Sequence, residues 1–168
     1  MSKYAMDVKK LTLLAPQDIV ATATRSQFFN LAKANGIVEL IVPFGNIAST
    51  DSTGEVVVTV EADAVNDTSS SDTVAAAIAF DYRLSAAVGT DSLGAKTAAT
   101  TAGVAVGQAD DNKTLHIFVD PAAVAAAVSG AKYVRVAATP TAEVTACLLS
   151  VLGEYTPDYA SASLDSAT

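Results

Sequence analysis

The stretch Ala109-Asp110-Asp111-Asn112-Lys113-Thr114-Leu115-His116-Ile117-Phe118-Val119-Asp120-Pro121 holds a polar turn, a strand and a stop in thirteen residues. Leu115, Ile117 and Val119 share one face by period two, and His116 and Phe118 share the other, which is the alternation of a half-buried strand. Asp120-Pro121 has the form of an N-cap followed by the favoured first helical residue, and Gly130 fits the stop of a short helix over 121–128. A second strand follows, Lys132-Tyr133-Val134-Arg135-Val136, with Val134, Val136 and Ala138 alternating against Tyr133, Arg135 and Ala137 before Pro140 breaks it. Two strands joined by a small connection make a scaffold and carry no visible chemistry.

The same pattern extends outward in both directions. Glu55-Val56-Val57-Val58-Thr59-Val60-Glu61 is the clearest strand, with Val56, Val58 and Val60 on one side. In 37–44, Val38, Leu40, Val42 and Phe44 share a face. Pro43 cannot donate to a ladder, so that strand is expected to end there or to lie at an edge, ahead of a polar loop over 45–54. Ala75 to Leu84 is rich in helix-favouring Ala, yet Ile78, Phe80, Tyr82 and Leu84 alternate with Ala79, Asp81 and Arg83, and the period selects strand. Residues 97–106 read as extended. Val144 to Leu152 reads as a last, fully buried strand. Ile19 to Thr24 is short and β-branched, and Ser26 to Ala34 reads as either a helical turn or an extended segment, closed by the turn signal Asn35-Gly36. Strands at this spacing with turn signals between them define an all-β domain and leave a two-sheet sandwich, a jelly roll or a closed barrel open. Residues 1–18 mix charge and apolar groups without a period and read as an arm or a first edge strand. The expected organisation is an N-terminal arm at 1–18, a β-sandwich domain at 19–153 and a C-terminal tail at 154–168. Val56, Val58, Val60, Leu115, Ile117, Val119, Val134 and Val136 are the expected core.

Composition narrows the function classes. The 168 residues suit one domain, and a chain of this length buries about 70% of its unfolded surface without staples. Hydrophobic residues make up 51% but aromatics only 6%, so small Ala, Val and Thr side chains fill the thin space between sheets. A net charge of −8 argues against nucleic acid or an anionic membrane as partner, since both need clustered Lys and Arg. Cys147 is the only cysteine, so no intrachain disulfide forms, and its apolar surroundings in sequence make it a structural thiol. The first residues do not read as a signal peptide, and no apolar run reaches the eighteen or so residues of a membrane helix, so a soluble product made in a cytoplasm is expected.

Catalytic signatures are missing from the sequence. The single His116 has no Gly-x-Ser-x-Gly nucleophile to serve. Asp110, Asp111 and Asn112 are contiguous and lack the spacing of a calcium loop, so a turn explains them; Asp63, Asp67 and Asp72 are the better-spread oxygens. No glycine string cradles a phosphate. Glu39, Glu61 and Asp81 could form a glycosidase pair only if the fold brought two of them together. No catalytic, cofactor-binding or metal-binding residue is assigned, and no cofactor is expected. Tyr82 and Tyr133, with the 63–72 loop, are what a carbohydrate- or ligand-binding sandwich would have to use. Tyr4, Leu11, Leu13, Leu14, Phe28, Phe29, Tyr155 and Tyr159 lie in the less regular flanking segments. Exposed apolar groups in such segments suit a partner interface, with folding back onto the domain as the competing reading.

The order of pieces Asn35-Gly36-Ile37-Val38-Glu39-Leu40, Gly45-Asn46-Ile47, Glu55 to Glu61, Phe80-Asp81-Tyr82-Arg83-Leu84, Gly89-Thr90-Asp91, Asp110-Asp111-Asn112-Lys113, Val119-Asp120-Pro121 and Lys132 to Val136 resembles small structural proteins of tailed bacteriophages, most of all head decoration or cement proteins. The resemblance covers roughly residues 35 to 152 and implies a jelly-roll-like two-sheet sandwich with extended terminal arms. It implies a homo-oligomer, trimer or dimer, seated on the major capsid protein at the virion surface, with no active site. A head-tail connector or tail structural protein is the neighbouring alternative within the same class.

Overall fold

The computed structural model describes residues 8–20, 22–66, 75–86 and 92–157. Its strands in chain order are β1 (Lys9–Asp18), β2 (Thr24–Arg25), β3 (Phe29–Asn30), β4 (Val38–Ser49), β5 (Glu55–Asp63), β6 (Ala76–Ile78), β7 (Phe80–Leu84), β8 (Thr97–Ala99), β9 (Val104–Gly107), β10 (Thr114–Val119), β11 (Tyr133–Pro140) and β12 (Val144–Tyr155). One α-helix, α1 (Pro121–Ala127), and two single-turn 3₁₀ helices at Leu31–Lys33 and Gln108–Asp110 complete the described elements.

The pairings nest. β1 runs antiparallel to β12, β2 and β3 to β11, β4 to β10, and β5 to β6 and β9. First pairs with last and the order closes inward, as in one long hairpin. Rolling that hairpin gives a first sheet in the order β1-β12-β4-β10-β7-β8 and a second in the order β2-β11-β5-β6, with β3 also on β11 and β9 also on β5. This is a jelly-roll sandwich. Two strands of the second sheet are each split in two: β2 and β3 share one edge of β11, and β6 and β9 share one edge of β5. In the second split the chain leaves the sheet at Ala79, adds β7 and β8 to the open side of β10, and returns. The Ala75–Leu84 stretch is therefore extended, as its period requires, but its two halves belong to different sheets.

The core lies between the inward faces. Val38, Leu40, Val42, Phe44, Leu115, Ile117, Val119, Leu149 and Val151 of the first sheet pack against Val56, Val58, Val60, Val134, Val136 and Ala138 of the second, all buried. Bulky side chains on one sheet meet Val and Ala on the other, as two interdigitating faces about 10 Å apart require. The ends are closed by Ile19, Phe29 and Leu31, and by Val124 of α1. That helix begins as its sequence dictates: the Asp120 side chain accepts from the Ala122 amide at 2.9 Å and Pro121 takes the first turn. Gly103 turns β8 into β9 with φ +84, and a Cβ there would collide with the Val58 carbonyl oxygen.

Four sequence expectations need correction. Pro43 neither ends β4 nor marks an edge: β4 runs on to Ser49 between β12 and β10, so 45–49 is strand rather than loop. Proline is tolerated because the ladder to β12 steps from Ile41–Leu152 to Phe44–Leu149 across it, and because its partner on β10 is Thr114, that strand's first residue. β12 is buried on one face only; Cys147, Leu149 and Val151 point inward while Leu148 is 52% exposed. Lys9–Asp18, read as an arm or an edge strand, is the edge strand β1, so a boundary at 18/19 falls inside the sandwich. The absent period has a cause: two register shifts, between Thr12 and Leu14 and between Leu14 and Gln17, reset which face each residue takes. The same bulges, with Lys9, Lys10 and Pro16, blunt an edge that would otherwise invite another strand.

Candidate functional site

The outer face of the first sheet sets polar and apolar groups side by side in rows fixed by register. In one row Lys10, Glu154, Glu39, Phe118, Asp81 and Ala98 stand side by side across five strand pairs; in the next stand Leu152, Ile41, His116 and Arg83. Glu39 and Glu154 are direct cross-strand neighbours, an unfavourable like-charge pairing unless each has a cation. Lys10 Nζ lies 3.1 Å from Glu154, and His116 Nδ1 lies 2.6 Å from Glu39 Oε1, within hydrogen-bond distance. Asp81 is likewise held by Lys96 Nζ at 2.7 Å. Beside these pairs a shallow cleft of about 340 Å³ is lined by Ile37, Glu39, Arg83, Leu93, Lys96 and Phe118.

The second sheet carries a buried ionic cluster that sequence reading missed. Glu61 accepts from Arg25 Nε at 3.0 Å and from Arg135 Nε at 2.7 Å. Arg135 is the register partner of Glu61, and its guanidinium carbon sits 4.4 Å from the centre of the Phe28 ring, within cation–π range. Phe28 in turn meets Tyr133 edge-on at 6.3 Å. The signal available in sequence was Glu61 and Arg135 standing in otherwise apolar strands; that the two strands pair was not.

The candidate catalytic carboxylates are not brought together. Glu39 and Asp81 lie on the first sheet and Glu61 on the second, Glu39 meeting the His116 ring, Asp81 paired with Lys96 and Glu61 with Arg25. Asp63 is buried and accepts from the Val65 amide at 3.1 Å, closing a local turn; Asp67 and Asp72 lie outside the described residues. Asp111 accepts from the Ile47 amide at 2.7 Å and Lys113 reaches Asp110 at 2.8 Å, so the Asp110-Asp111-Asn112 run is a turn that locks β10 to β4. Among the described residues no group of three or more His, Cys, Asp and Glu side chains is placed to hold a metal ion. Cys147 is fully buried, and burial, with the Asp18 and Asp111 carboxylates nearby, pushes its thiol up to about 11. No helix among the described residues is long and apolar enough to cross a membrane.

Of the eight residues expected at a partner interface, Tyr4 and Tyr159 lie outside the described residues. Leu13 and Phe29 are 5% and 1% exposed and belong to the chain's own core. Leu11, Leu14 and Tyr155 are half-buried against that core, Tyr155 edge-on to Phe29 at 4.9 Å. Phe28 covers Arg135. Tyr82 packs toward the core beside Phe80. Six large apolar side chains among the described residues are exposed and were not singled out from sequence: Ile37 at 60% and Leu93 at 37%, both on the cleft, Leu148 on β12, and Val8, Val20 and Val65 elsewhere.

No family model matches the chain, and no curated protein matches it. Among solved structures, the infectious bursal disease virus Gx strain gives 11% identity and a TM-score of 0.25, covering 95% of this chain and 43% of that one. The Gt strain of the same virus gives 10% identity and a TM-score of 0.23, covering 95% and 42%. The chain thus spans less than half the length of the structures it matches. Superpositions this loose leave fold and function to be argued from the chain's own topology and surface.

Proposed function

We propose that the chain is a non-enzymatic virion structural protein of a tailed bacteriophage, a capsid decoration or cement protein that binds the assembled head as a homo-oligomer. The observation that carries the reading is a jelly roll, a fold that virus shells use, in which the strand carboxylates Glu61, Asp81 and Glu154 are held in ion pairs and Glu39 meets His116. Such pairing uses chemistry to hold a shape. Because jelly rolls also serve lectins and cupins, the fold alone does not decide. What tips the balance is the resemblance of the strand-and-loop order to phage decoration proteins, together with exposed Ile37, Leu93 and Leu148 on the sheet that closes one side of the sandwich.

The physical mechanism is mass action. A protein that binds only the assembled shell stabilises it by RT ln(1 + [L]/Kd) per site, and a lattice that presents many sites makes weak individual contacts sufficient. The test is sedimentation of the purified protein with heads that lack it, alongside light scattering for its oligomeric state. Saturable co-sedimentation that raises the temperature at which heads release their contents is expected. A strict monomer that stays in the supernatant refutes the proposal.

A further inference from the structure

We propose that the cleft on the outer face of the first sheet docks an extended peptide segment of a partner protein, one that presents a carboxylate two residues from an apolar side chain. The inference rests on the reading above as an assembly protein and names the surface and the chemistry of its contact.

Lys10 pairs with Glu154 and Lys96 with Asp81, while Glu39 Oε1 meets the His116 ring. Arg83 is left over: it makes no ion pair among the described residues, yet it lines the cleft. In a chain of net charge −8 an unmatched guanidinium is the exception, and its planar fork suits a carboxylate. Its surroundings strengthen the case. Ile37, 60% exposed, Leu93, 37% exposed, and Phe118 line the same cleft, so a ligand carboxylate at Arg83 would arrive with apolar surface already beside it. Removing that surface from water favours docking, and partial exclusion of water strengthens the ionic contact.

Register sets the spacing of the ligand. Arg83 is on β7, Phe118 on β10 and Ile37 just ahead of β4, three neighbouring strands of one sheet. Strands lie about 4.8 Å apart, so the cleft spans roughly 10 Å across the strands. An extended segment rises about 3.3 Å per residue and turns alternate side chains to one side. With its acid on Arg83, its residue two further on falls roughly 7 Å away, over Phe118 and toward Ile37. Lys96, held by Asp81, lines the cleft beside it.

Three synthetic peptides, titrated into the full chain labelled for NMR, test this. The first is acetyl-Ser-Asp-Ser-Leu-Ser-Asp-Ser-Leu-Ser-amide, the second has Lys for each Asp, and the third has Ser for each Leu. Saturable shifts at Ile37, Leu93 and Phe118 with the first peptide alone are expected. Arg83→Gln and Ile37→Ser should each weaken that binding at least tenfold while leaving the rest of the amide spectrum unchanged, and Arg83→Lys should fall between. Absence of saturable shifts in the cleft, equal binding by Arg83→Gln, or equal binding of N-acetyl-aspartate overturns the inference. On particles, loss of head binding by Arg83→Gln and Ile37→Ser supports it. If both variants coat heads as the parent does, the docking site is wrong and the proposed function stands. If the parent itself does not coat heads, the proposed function fails and takes the partner with it.

Discussion

Glu61 sits between two arginines, and replacing it with Gln isolates the contribution of one buried charge. The side chains of Glu61 and Arg135 are 12% and 3% exposed, while that of Arg25 is 36% exposed. The two halves of the cluster therefore carry different weights. Breaking a buried pair by removing one partner costs about 3–5 kcal/mol, because the other charge is left without compensation. The Arg25 half, close to water, contributes about 0.2–1 kcal/mol. Glu61→Gln keeps the shape but leaves two guanidiniums facing a neutral amide, so its cost should be about 3–5 kcal/mol, set by Arg135. Arg25→Ala should cost under about 1 kcal/mol. Against a total stability of about 5–15 kcal/mol, the first change moves a urea midpoint far and the second barely moves it. A third variant sharpens the test: Glu61→Leu with Arg135→Met removes both buried charges and should recover most of the loss, since apolar replacements of buried pairs are often neutral or stabilising. Urea unfolding followed by circular dichroism measures all three. A Glu61→Gln variant within about 1 kcal/mol of the parent, or one no more costly than Arg25→Ala, would refute the assignment of the stabilisation to the buried half.

Three further outcomes follow from the packing and the turns. Ile117→Ala, at a fully buried site on β10, should cost about 2–5 kcal/mol in the same urea experiment, and an unchanged midpoint would show that this face is not the core. Gly103→Ala, with its Cβ forced toward the Val58 carbonyl, should lower the melting temperature in a thermal scan by more than Gly36→Ala, where φ is also positive but nothing lies within 4 Å. Because the folded Cys147 thiol titrates at about 11 against an ordinary 9.0, the unfolded chain ionises first on raising pH. Its contribution is therefore intact below about pH 9 and lost between pH 9 and 11; a Cys147→Ala variant should lack that fall, and a thiol reagent at pH 8 should react only after unfolding.

How much of this could be read in the chain depended on how regularly each strand was paired. β5, β10 and the Val134–Val136 face of β11 alternate cleanly because each is paired along its length without a register shift, and their eight expected core residues are all buried. β1 hid its strand because two bulges broke the period that sequence reading relies on. Pro43 misled because only the pairing partners reveal that its missing N–H falls where no bond to β12 is made. Ala79 gave no sign of a change of sheet, since an extended chain that switches sheets keeps the same alternation. The candidate surface was harder still. Glu39, Arg83, Lys96 and Phe118 are scattered over eighty residues, and only the register of β4, β10 and β7 makes them neighbours. The Arg25–Glu61–Arg135 cluster was hidden for the same reason, being a consequence of which strands meet.

The claim that this jelly roll coats a phage head is tested most directly by imaging intact particles of the virus that encodes it and comparing them with particles from which its gene has been deleted. The account predicts density of this size and two-sheet shape repeated across the whole head lattice, absent from the deletion particles and restored by adding back the purified protein. Density confined to one vertex or to the tail would place the chain in a connector or tail instead, and particles unchanged by the deletion would contradict a structural role in the virion altogether.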